Sequence, residues 1–316
     1  MGSIAEYSDP NPPVGHLIEV AASKADVEDV VQILTEHGGV IVRGLIEPKV
    51  LEQVKQDLMP HFNDPWTNDP LFSNKVRIVT GMAGKSPSYI EHFTGNPLYS
   101  AVCDRLLSSS HTCWYGNEKH TFEALPQVNS AVAFLTSPGS TLQNLHRDDM
   151  GHHNRLGAIT SAEYQVGRDT AVGIFVAGSR TTKENGATRF IPSSHLWDTM
   201  HPPDDSLSVY AELQPGDAFI MLASCYHGAS VNASQEQRLV YSSFMTKSVL
   251  RQWPLSQEEN QYLSVSVGDL RNISPRMQKR LGFAASNPLH GWVGLKDPMV
   301  MLGLEGTSDY TGLSNI

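Results

Sequence analysis

The chain is poor in cysteine, in long apolar runs and in clustered positive charge, and each shortage excludes a class of protein. Its cysteines, Cys103, Cys113 and Cys225, are too few and too scattered for a disulfide framework or a zinc knuckle. No apolar run approaches the roughly 18 residues of a membrane-spanning helix. The formal net charge is −10 and no Lys/Arg cluster occurs, which argues against a nucleic-acid-binding surface. Because the N-terminal residues also lack a basic and apolar leader, we expect a cytoplasmic protein.

The length and composition indicate a folded globular protein. It has 316 residues, of which 40% are hydrophobic and 18% are charged. No internal repeat and no low-complexity linker divides it, so we expect one domain over residues 1–316. Within that domain, the pattern predicts a helical N-terminal layer over 17–110, a β core over about 112–250 and a C-terminal extension over 251–316.

The periodicity predicts helices first and short strands afterwards. A capping segment at 23–26 begins a helix with apolar residues at helical spacing, Gly38 ends it, and Pro48 begins a second helix. Strands are predicted over 40–45 and 75–80, and a helix over 88–110. The core then carries eight short strands separated by Pro, Gly and Asn turns. They are Thr112–Gly116, Asn129–Thr136, Thr141–Asp148, Ala171–Ala177, Thr188–Pro192, Leu207–Leu213, Asp217–Leu222 and Arg238–Met245. A mainly β fold with flanking helices, a jelly roll, follows from this order.

A His-x-Asp pair in the third of these strands is the strongest sign of chemistry. If residues 141–148 are extended, His146 and Asp148 project from the same face. About 80 residues later an apolar strand ends at His227, which Gly228 follows. Two histidines and one carboxylate make the facial set that binds non-haem Fe(II) with open positions. A further arginine, Arg238, opens the next strand and could clamp a carboxylate with two parallel hydrogen bonds.

Other residues near this pair leave alternatives open. Asp149 is adjacent to Asp148 and could be the carboxylate ligand instead, although strand parity turns it to the opposite face. His152 and His153 follow closely, but loop histidines are usually solvated. His195 is more often a structural hydrogen-bonding residue than a ligand. The aromatic residues Trp114, Tyr115 and Phe134 could line a substrate pocket or belong to the core.

The motifs together resemble those of a known family. The sequence is similar to the phytanoyl-CoA dioxygenase-like branch of the Fe(II)/2-oxoglutarate-dependent oxygenases, and most of all to fungal members that tailor alkaloids and meroterpenoids. The resemblance runs from the first helix to about residue 265. It is carried by Leu142–Asp149, by Glu184–His195 with its Asn-Gly-Ala-Thr run, by Pro215–Ala218 and by His227–Gly228. One departure is Pro192-Ser193-Ser194-His195, where the family has Pro-Gly-Ser-His.

The resemblance implies a fold, a cofactor and a set of roles. The fold is a distorted double-stranded β-helix of the cupin-like kind, with Fe(II) held by His146, Asp148 and His227. The cosubstrates are 2-oxoglutarate and O2, and Arg238 binds the distal carboxylate of 2-oxoglutarate. Further cosubstrate contacts fall on Arg77, Gln143 and Thr188. Since Gln143 and His146 have opposite parity, both can face one pocket only if the backbone is irregular between them.

The expected reaction is the oxidation of an unactivated C–H bond in a bulky natural product, an alkaloid or a terpenoid. Hydroxylation, desaturation, ring formation and endoperoxidation remain open outcomes. The carboxylate of Asp148 argues against halogenation, because related halogenases have a small residue in its place. Two rival functions stay open: a cupin-type metalloenzyme that does not use 2-oxoglutarate, and a β-sandwich binding module without catalysis. We expect a small-molecule substrate and no nucleic-acid or membrane partner, and a homodimer is left open.

Overall fold

A large sheet and a small sheet form the centre of the protein. The computed structural model describes residues 15–64, 74–252, 261–288, 290–294 and 296–304. The strands are β1 Ile18–Ala21, β2 Gly39–Arg43, β3 Val76–Val79, β4 Ser109–Tyr115, β5 Glu118–Ala124, β6 Gln127–Thr136, β7 Ala171–Ala177, β8 Thr188–Phe190, β9 Val209–Ala211, β10 Ala218–Leu222, β11 His227–Ala229 and β12 Arg238–Thr246. Seven of them form the large sheet in the order β1-β2-β10-β7-β12-β6-β3, and three form the small sheet in the order β11-β8-β9. A separate hairpin pairs β4 with β5.

Helices precede the core strands and follow them. They are α1 Val27–His37, α2 Pro48–Leu58, α3 Met82–Lys85, α4 Pro87–Tyr89, α5 Pro97–Leu107, α6 Gln261–Ser264, α7 Val267–Leu270, α8 Pro275–Arg280 and α9 Pro298–Met301. A π-helical turn, Ile90–Thr94, continues α4, and short 3-10 turns include Asp148–His152 and Asp205–Leu207. Among the described residues, no helix is long and apolar enough to cross a bilayer.

The first helix begins and ends where its sequence dictates. Asp26 is the N-cap, and its side chain accepts a hydrogen bond from the Glu28 amide at 2.9 Å. Val30 and Leu34 recur at helical spacing and are fully buried. Gly38 then takes the left-handed conformation at the C-terminus, and its amide donates to the Leu34 carbonyl at 2.8 Å. The chain therefore turns directly into β2.

The two sheets pack face to face, and helices cover the large one. Phe190 of the small sheet meets Phe219 of the large sheet edge to face, with ring centroids 5.1 Å apart. On the helical side, the Tyr99 hydroxyl of α5 donates to the Val172 carbonyl at 2.8 Å. The π-helical turn contributes Phe93, whose ring lies 5.3 Å from that of Tyr241 on β12. This arrangement confirms the predicted mainly β jelly roll with flanking helices.

Three local expectations were wrong. Strands β1 and β5 were not predicted, and the predicted single strand over 112–116 is one arm of the β4–β5 hairpin. Residues 88–110 are not one helix, because the π-helical turn and Pro97 interrupt it. Residues 141–148 do not form a regular strand: they meet β11 through an isolated bridge from His146 to His227.

Candidate metal and cosubstrate site

Three side chains from two distant parts of the sequence meet between the sheets. Asp148 Oδ1 lies 3.4 Å from His146 Nε2, and Asp148 Oδ2 lies 3.3 Å from His227 Nε2. One ligand atom from each residue lies within 4.8 Å of the others. All three side chains are mostly or completely buried. Two imidazole nitrogens and one carboxylate oxygen at this separation fit a non-haem Fe(II) ion with free coordination positions.

Backbone carbonyls fix the orientation of both imidazole rings. His146 Nδ1 lies 2.8 Å from the Asn144 carbonyl oxygen, and His227 Nδ1 lies 3.2 Å from the Cys225 carbonyl oxygen. Because a carbonyl can only accept, each Nδ1 carries a proton, which leaves Nε2 as the nitrogen that binds a metal or, when the ring is protonated, donates to Asp148. Each Nε2 is directed toward a carboxylate oxygen of Asp148.

The chain between Gln143 and His146 contains the irregularity that parity required. His146 and His227 exchange two backbone hydrogen bonds, at 3.0 and 2.9 Å. The Gln143 amide donates to the Ala229 carbonyl at 3.0 Å. Three steps along this segment thus match two steps along β11, which defines a β-bulge. We call residues 143–146 the bulge segment, and it brings Gln143 and His146 to the same cavity.

Electrostatics keep the carboxylate ionised. Burial by itself would raise the pKa of Asp148, but the charge of His227 and the hydrogen bonds from both histidines outweigh it and hold the pKa well below its usual value. Burial lowers the pKa of His146, and the hydrogen bond and charge of Asp148 reverse that effect and raise it. An ionised carboxylate between two imidazoles is the state that a divalent cation requires.

At another wall of the cavity lies a cation that pairs with no anion in the part of the chain that the structure describes. Arg238 is the first residue of β12 and is 5% exposed. Its Nη2 donates to Thr136 Oγ1 at 3.3 Å, while its Nε has no hydrogen-bond partner among the described residues. Burial lowers its pKa to about 10. Since burying an unpaired charge is unfavourable, this guanidinium fits an anionic ligand that enters the cavity.

The cavity joins the two groups. It has a volume of roughly 140 Å³. Its polar lining includes His146, Asp148, His227, Arg238, Gln143, Thr188, Thr136 and Ser242, and its apolar lining includes Val76, Phe134, Leu142, Phe175, Val240 and Phe244. The sequence analysis did not identify Thr136, Phe175 and Phe244 as cavity residues. Strand alternation could have found one of them: if Arg238 faces inward on β12, then Val240, Ser242 and Phe244 face inward too.

The structure does not bring Arg77 to this cavity. Its neighbour Val76 lines the cavity, whereas Arg77 lies on the opposite face of β3 and donates to the Phe62 carbonyl at 3.0 Å and to Asn63 Oδ1 at 3.2 Å. Trp114 and Tyr115 are also elsewhere, since they are 68% and 61% exposed on the β4–β5 hairpin.

The alternative ligands lie apart from the cluster. Asp149 turns to the other face, where it accepts a hydrogen bond from Asn154 Nδ2 at 2.8 Å. His195 is fully buried, and its Nε2 donates to the Thr35 carbonyl at 3.0 Å, as a structural histidine would. His152 Nδ1 lies 3.1 Å from Thr170 Oγ1, and His153 takes the left-handed conformation just after the 3-10 turn.

Comparison with known proteins finds similarity to a family of dioxygenases. The family model described as phytanoyl-CoA dioxygenase matches residues 34–240. The chain is 51% identical over 293 residues to the dioxygenase himG of Aspergillus japonicus, covering 91% of each chain. It is 48% identical over 294 residues to the dioxygenase peniF of Penicillium patulum, covering 93% of this chain and 94% of the relative.

Solved structures share the fold at low sequence identity. HygX from Streptomyces hygroscopicus, determined with nickel, 2-oxoglutarate and hygromycin B, superposes with a TM-score of 0.52 at 16% identity. The match covers 71% of this chain and 89% of HygX. The α-ketoglutarate-dependent epimerase SnoN from nogalamycin biosynthesis superposes with a TM-score of 0.51 at 17% identity, covering 70% and 83%.

Proposed function

The chain belongs to the phytanoyl-CoA dioxygenase family and is an Fe(II)/2-oxoglutarate-dependent dioxygenase, and we propose that it oxidises an unactivated C–H bond of a bulky, largely apolar natural product. Fe(II) would be held by His146, Asp148 and His227, and 2-oxoglutarate by Arg238, Gln143 and Thr188. The proposal includes a single catalytic domain that works in the cytoplasm on a small molecule.

One observation carries the use of 2-oxoglutarate: the buried guanidinium of Arg238 has no anionic partner among the described residues, and it lines the same cavity as the His-Asp-His cluster. A cupin-type enzyme without 2-oxoglutarate would have no use for a buried cation there. In a non-catalytic β-sandwich, the burial of that charge would be unfavourable and would serve no ligand.

When bound, the iron would bring 2-oxoglutarate and O2 together, so that 2-oxoglutarate loses CO2 to become succinate, one oxygen atom enters succinate and the substrate is oxidised by two electrons. The protein itself contributes position, charge and shelter. In a hydroxylation, the second oxygen atom becomes the oxygen of the new alcohol.

The residues of the cavity have separate tasks in this scheme. Arg238 would pair with the distal carboxylate of 2-oxoglutarate through two parallel hydrogen bonds. Gln143 Oε1 already accepts from the Ala229 amide at 3.1 Å, so its NH2 group is the part left to donate to the cosubstrate. The side chains of Phe134, Phe175 and Phe244 would exclude water from the reacting atoms.

The fungal relatives and the apolar cavity walls support a natural product as substrate. The two fungal relatives are named dioxygenases, and one structural neighbour was determined with hygromycin B. The alkaloid and terpenoid classes follow from the family resemblance. Hydroxylation, desaturation, ring closure and endoperoxidation all begin with the oxidation of a positioned C–H bond.

Anaerobic spectroscopy tests the proposal directly. Addition of Fe(II) and 2-oxoglutarate to the protein should produce the visible charge-transfer band of a chelated complex, and alkaloids or terpenoids that bind should shift it. Asp148→Ala and His227→Ala should lose the band and succinate formation while the circular dichroism spectrum stays that of the wild type. A variant that still forms succinate at the wild-type rate would contradict the ligand assignment. Faster turnover of an acyl-CoA panel than of natural products would contradict the substrate class.

A further inference from the structure

Arg189 connects the small sheet to the bulge segment without reaching the cavity. It is the middle residue of β8, and its side chain is 3% exposed. Nη2 donates to the Gln143 carbonyl at 2.6 Å, and Nη1 donates to Asp205 Oδ1 at 2.5 Å. Across the sheet, Arg189 pairs in register with Gly228, the residue after the His227 ligand. The guanidinium thus bridges an outer turn and the backbone that carries His146.

The bulge leaves the Gln143 carbonyl in need of a donor. In a regular antiparallel pair this carbonyl would accept from the Ala229 amide. Here the Gln143 side chain takes that hydrogen bond, at 3.1 Å from the Ala229 nitrogen. The displaced carbonyl points into the protein beside Gly228, where Arg189 supplies the donor. A buried carbonyl without a donor is unfavourable, and a hydrogen bond from a charged group is stronger than a neutral one.

The turn that contains Asp205 is also linked to the bulge segment through apolar packing. Leu207, at the end of the turn Asp205–Leu207, and Leu145, inside the bulge segment, both pack against an apolar cluster separate from the main core. That cluster consists of Ile191, Trp197 and Tyr226. The bulge segment is therefore fixed on its outer side by a polar bridge at Gln143 and an apolar contact at Leu145, while its inner side presents His146 and Gln143 to the cavity.

We propose that Arg189 is a positioning residue for the metal site: by pairing with Asp205 and binding the Gln143 carbonyl, it sets the shape of the bulge that places His146 beside Asp148 and His227. This role rests on the proposed function, because it presumes that these three side chains bind the metal. The guanidinium reaches its two acceptors with two different nitrogens, whereas lysine would have to reach both from a single nitrogen and is expected to hold them less well.

Metal affinity measured without 2-oxoglutarate or turnover tests this role. The full-length protein is titrated with Co(II), and binding is followed by the visible absorption of the bound ion. Arg189→Met keeps an unbranched apolar stem, removes the guanidinium and should weaken Co(II) binding tenfold or more, as removal of outer partners of metal ligands usually does. The absorption of the Co(II) that still binds should change shape. Arg189→Lys should fall between Arg189→Met and the wild type.

The matched control is an ion-paired arginine at the opposite end of β10 from His227. Arg43 contacts Glu19 at 2.6 Å and Asp217 at 2.7 Å. Arg43→Met should lower the unfolding temperature and leave Co(II) affinity and the Co(II) spectrum at wild-type values. A similar loss of affinity in Arg43→Met would mean that general destabilisation explains the result and would overturn the role of Arg189.

Two further outcomes separate this inference from the proposed function. If the wild type takes up no Co(II), the proposed metal site fails, and the role of Arg189 fails with it. If the wild type binds Co(II) while Arg189→Met and Arg189→Lys bind equally tightly with the same spectrum, the metal site stands and the positioning role is overturned. Should Arg189→Met fail to fold, the lysine variant alone decides between these outcomes.

Discussion

Replacing Gly228 with alanine should weaken metal binding while leaving the sheet intact. The backbone of Gly228 is not in the left-handed region, so an alanine can adopt its conformation. The obstacle is space: an added Cβ would lie 3.0 Å from both the Gln143 and the Asn144 carbonyl oxygens. Ordinary contacts of a Cβ begin near 3.4 Å, so the two chains must separate by several tenths of an ångström.

The neighbours that must yield are backbone atoms of the bulge segment. Overpacking of this kind destabilises a protein by about 1–3 kcal/mol. If the bulge can relieve that strain only by moving His146 away from Asp148, metal binding has to reverse the movement. Since 1.4 kcal/mol corresponds to a tenfold change in Kd, the expected loss of metal affinity is about 10–100-fold. The close approach therefore lies at the carbonyls of the bulge segment and not at the His227 side chain.

The assay is a Co(II) or Fe(II) titration together with thermal unfolding in the presence and absence of the metal. Gly157→Ala is the matched control, because an added Cβ at Gly157 meets no atom within 4 Å and its φ is not positive. The reasoning would be refuted if Gly228→Ala bound metal as tightly as the wild type and gained the same thermal stabilisation from it.

Two further variants test charge in the interior. Arg238→Met should raise the apparent KM for 2-oxoglutarate at least tenfold; because burial lowers the Arg238 pKa to about 10, it should also stabilise the ligand-free protein by about 1–3 kcal/mol in urea unfolding. An unchanged KM would locate the carboxylate clamp elsewhere. Burial lowers the His195 pKa to about 4, so the unfolded chain binds a proton that the folded protein rejects between pH 6.5 and 4. Wild-type stability should fall by about 3 kcal/mol as the pH drops through that window, and His195→Gln, unlike the exposed His111→Gln, should flatten the fall.

Regular strands were predictable from the sequence because their residues alternate or form short apolar runs between turns. Ala171–Ala177 is found with the predicted bounds, and β10 and β12 differ by one residue at an end. The β4–β5 hairpin was only half recognised, because its strands are largely exposed and carry no apolar alternation. Apolar alternation in a sequence reflects the burial of one face of a strand. A hairpin that projects into solvent buries little of either face, so its sequence shows little alternation.

The candidate site was predictable as a set of residues and less so as a shape. Parity favoured Asp148 over Asp149 and required a bulge next to Gln143, and the structure contains both features. Arg77 came from the family resemblance, and the structure places it on the face of β3 opposite Val76, away from the cavity. The Arg189 bridge could not be foreseen, because its partners are a main-chain carbonyl and a turn carboxylate that carry no sequence pattern.

The backbone that carries His227 is more extensively paired than the backbone that carries His146. His227 belongs to β11, which pairs with β8 over its whole length and meets the bulge segment on its other side. His146 meets a strand through one bridge, at the free edge of the small sheet. Local opening should therefore begin at His146, and hydrogen exchange of the amides of residues 143–148 would be faster than that of β12. A bound metal would link His146 to His227 on the more firmly paired β11. Metal binding should therefore slow the hydrogen exchange of residues 143–148, the same residues that form part of the metal site.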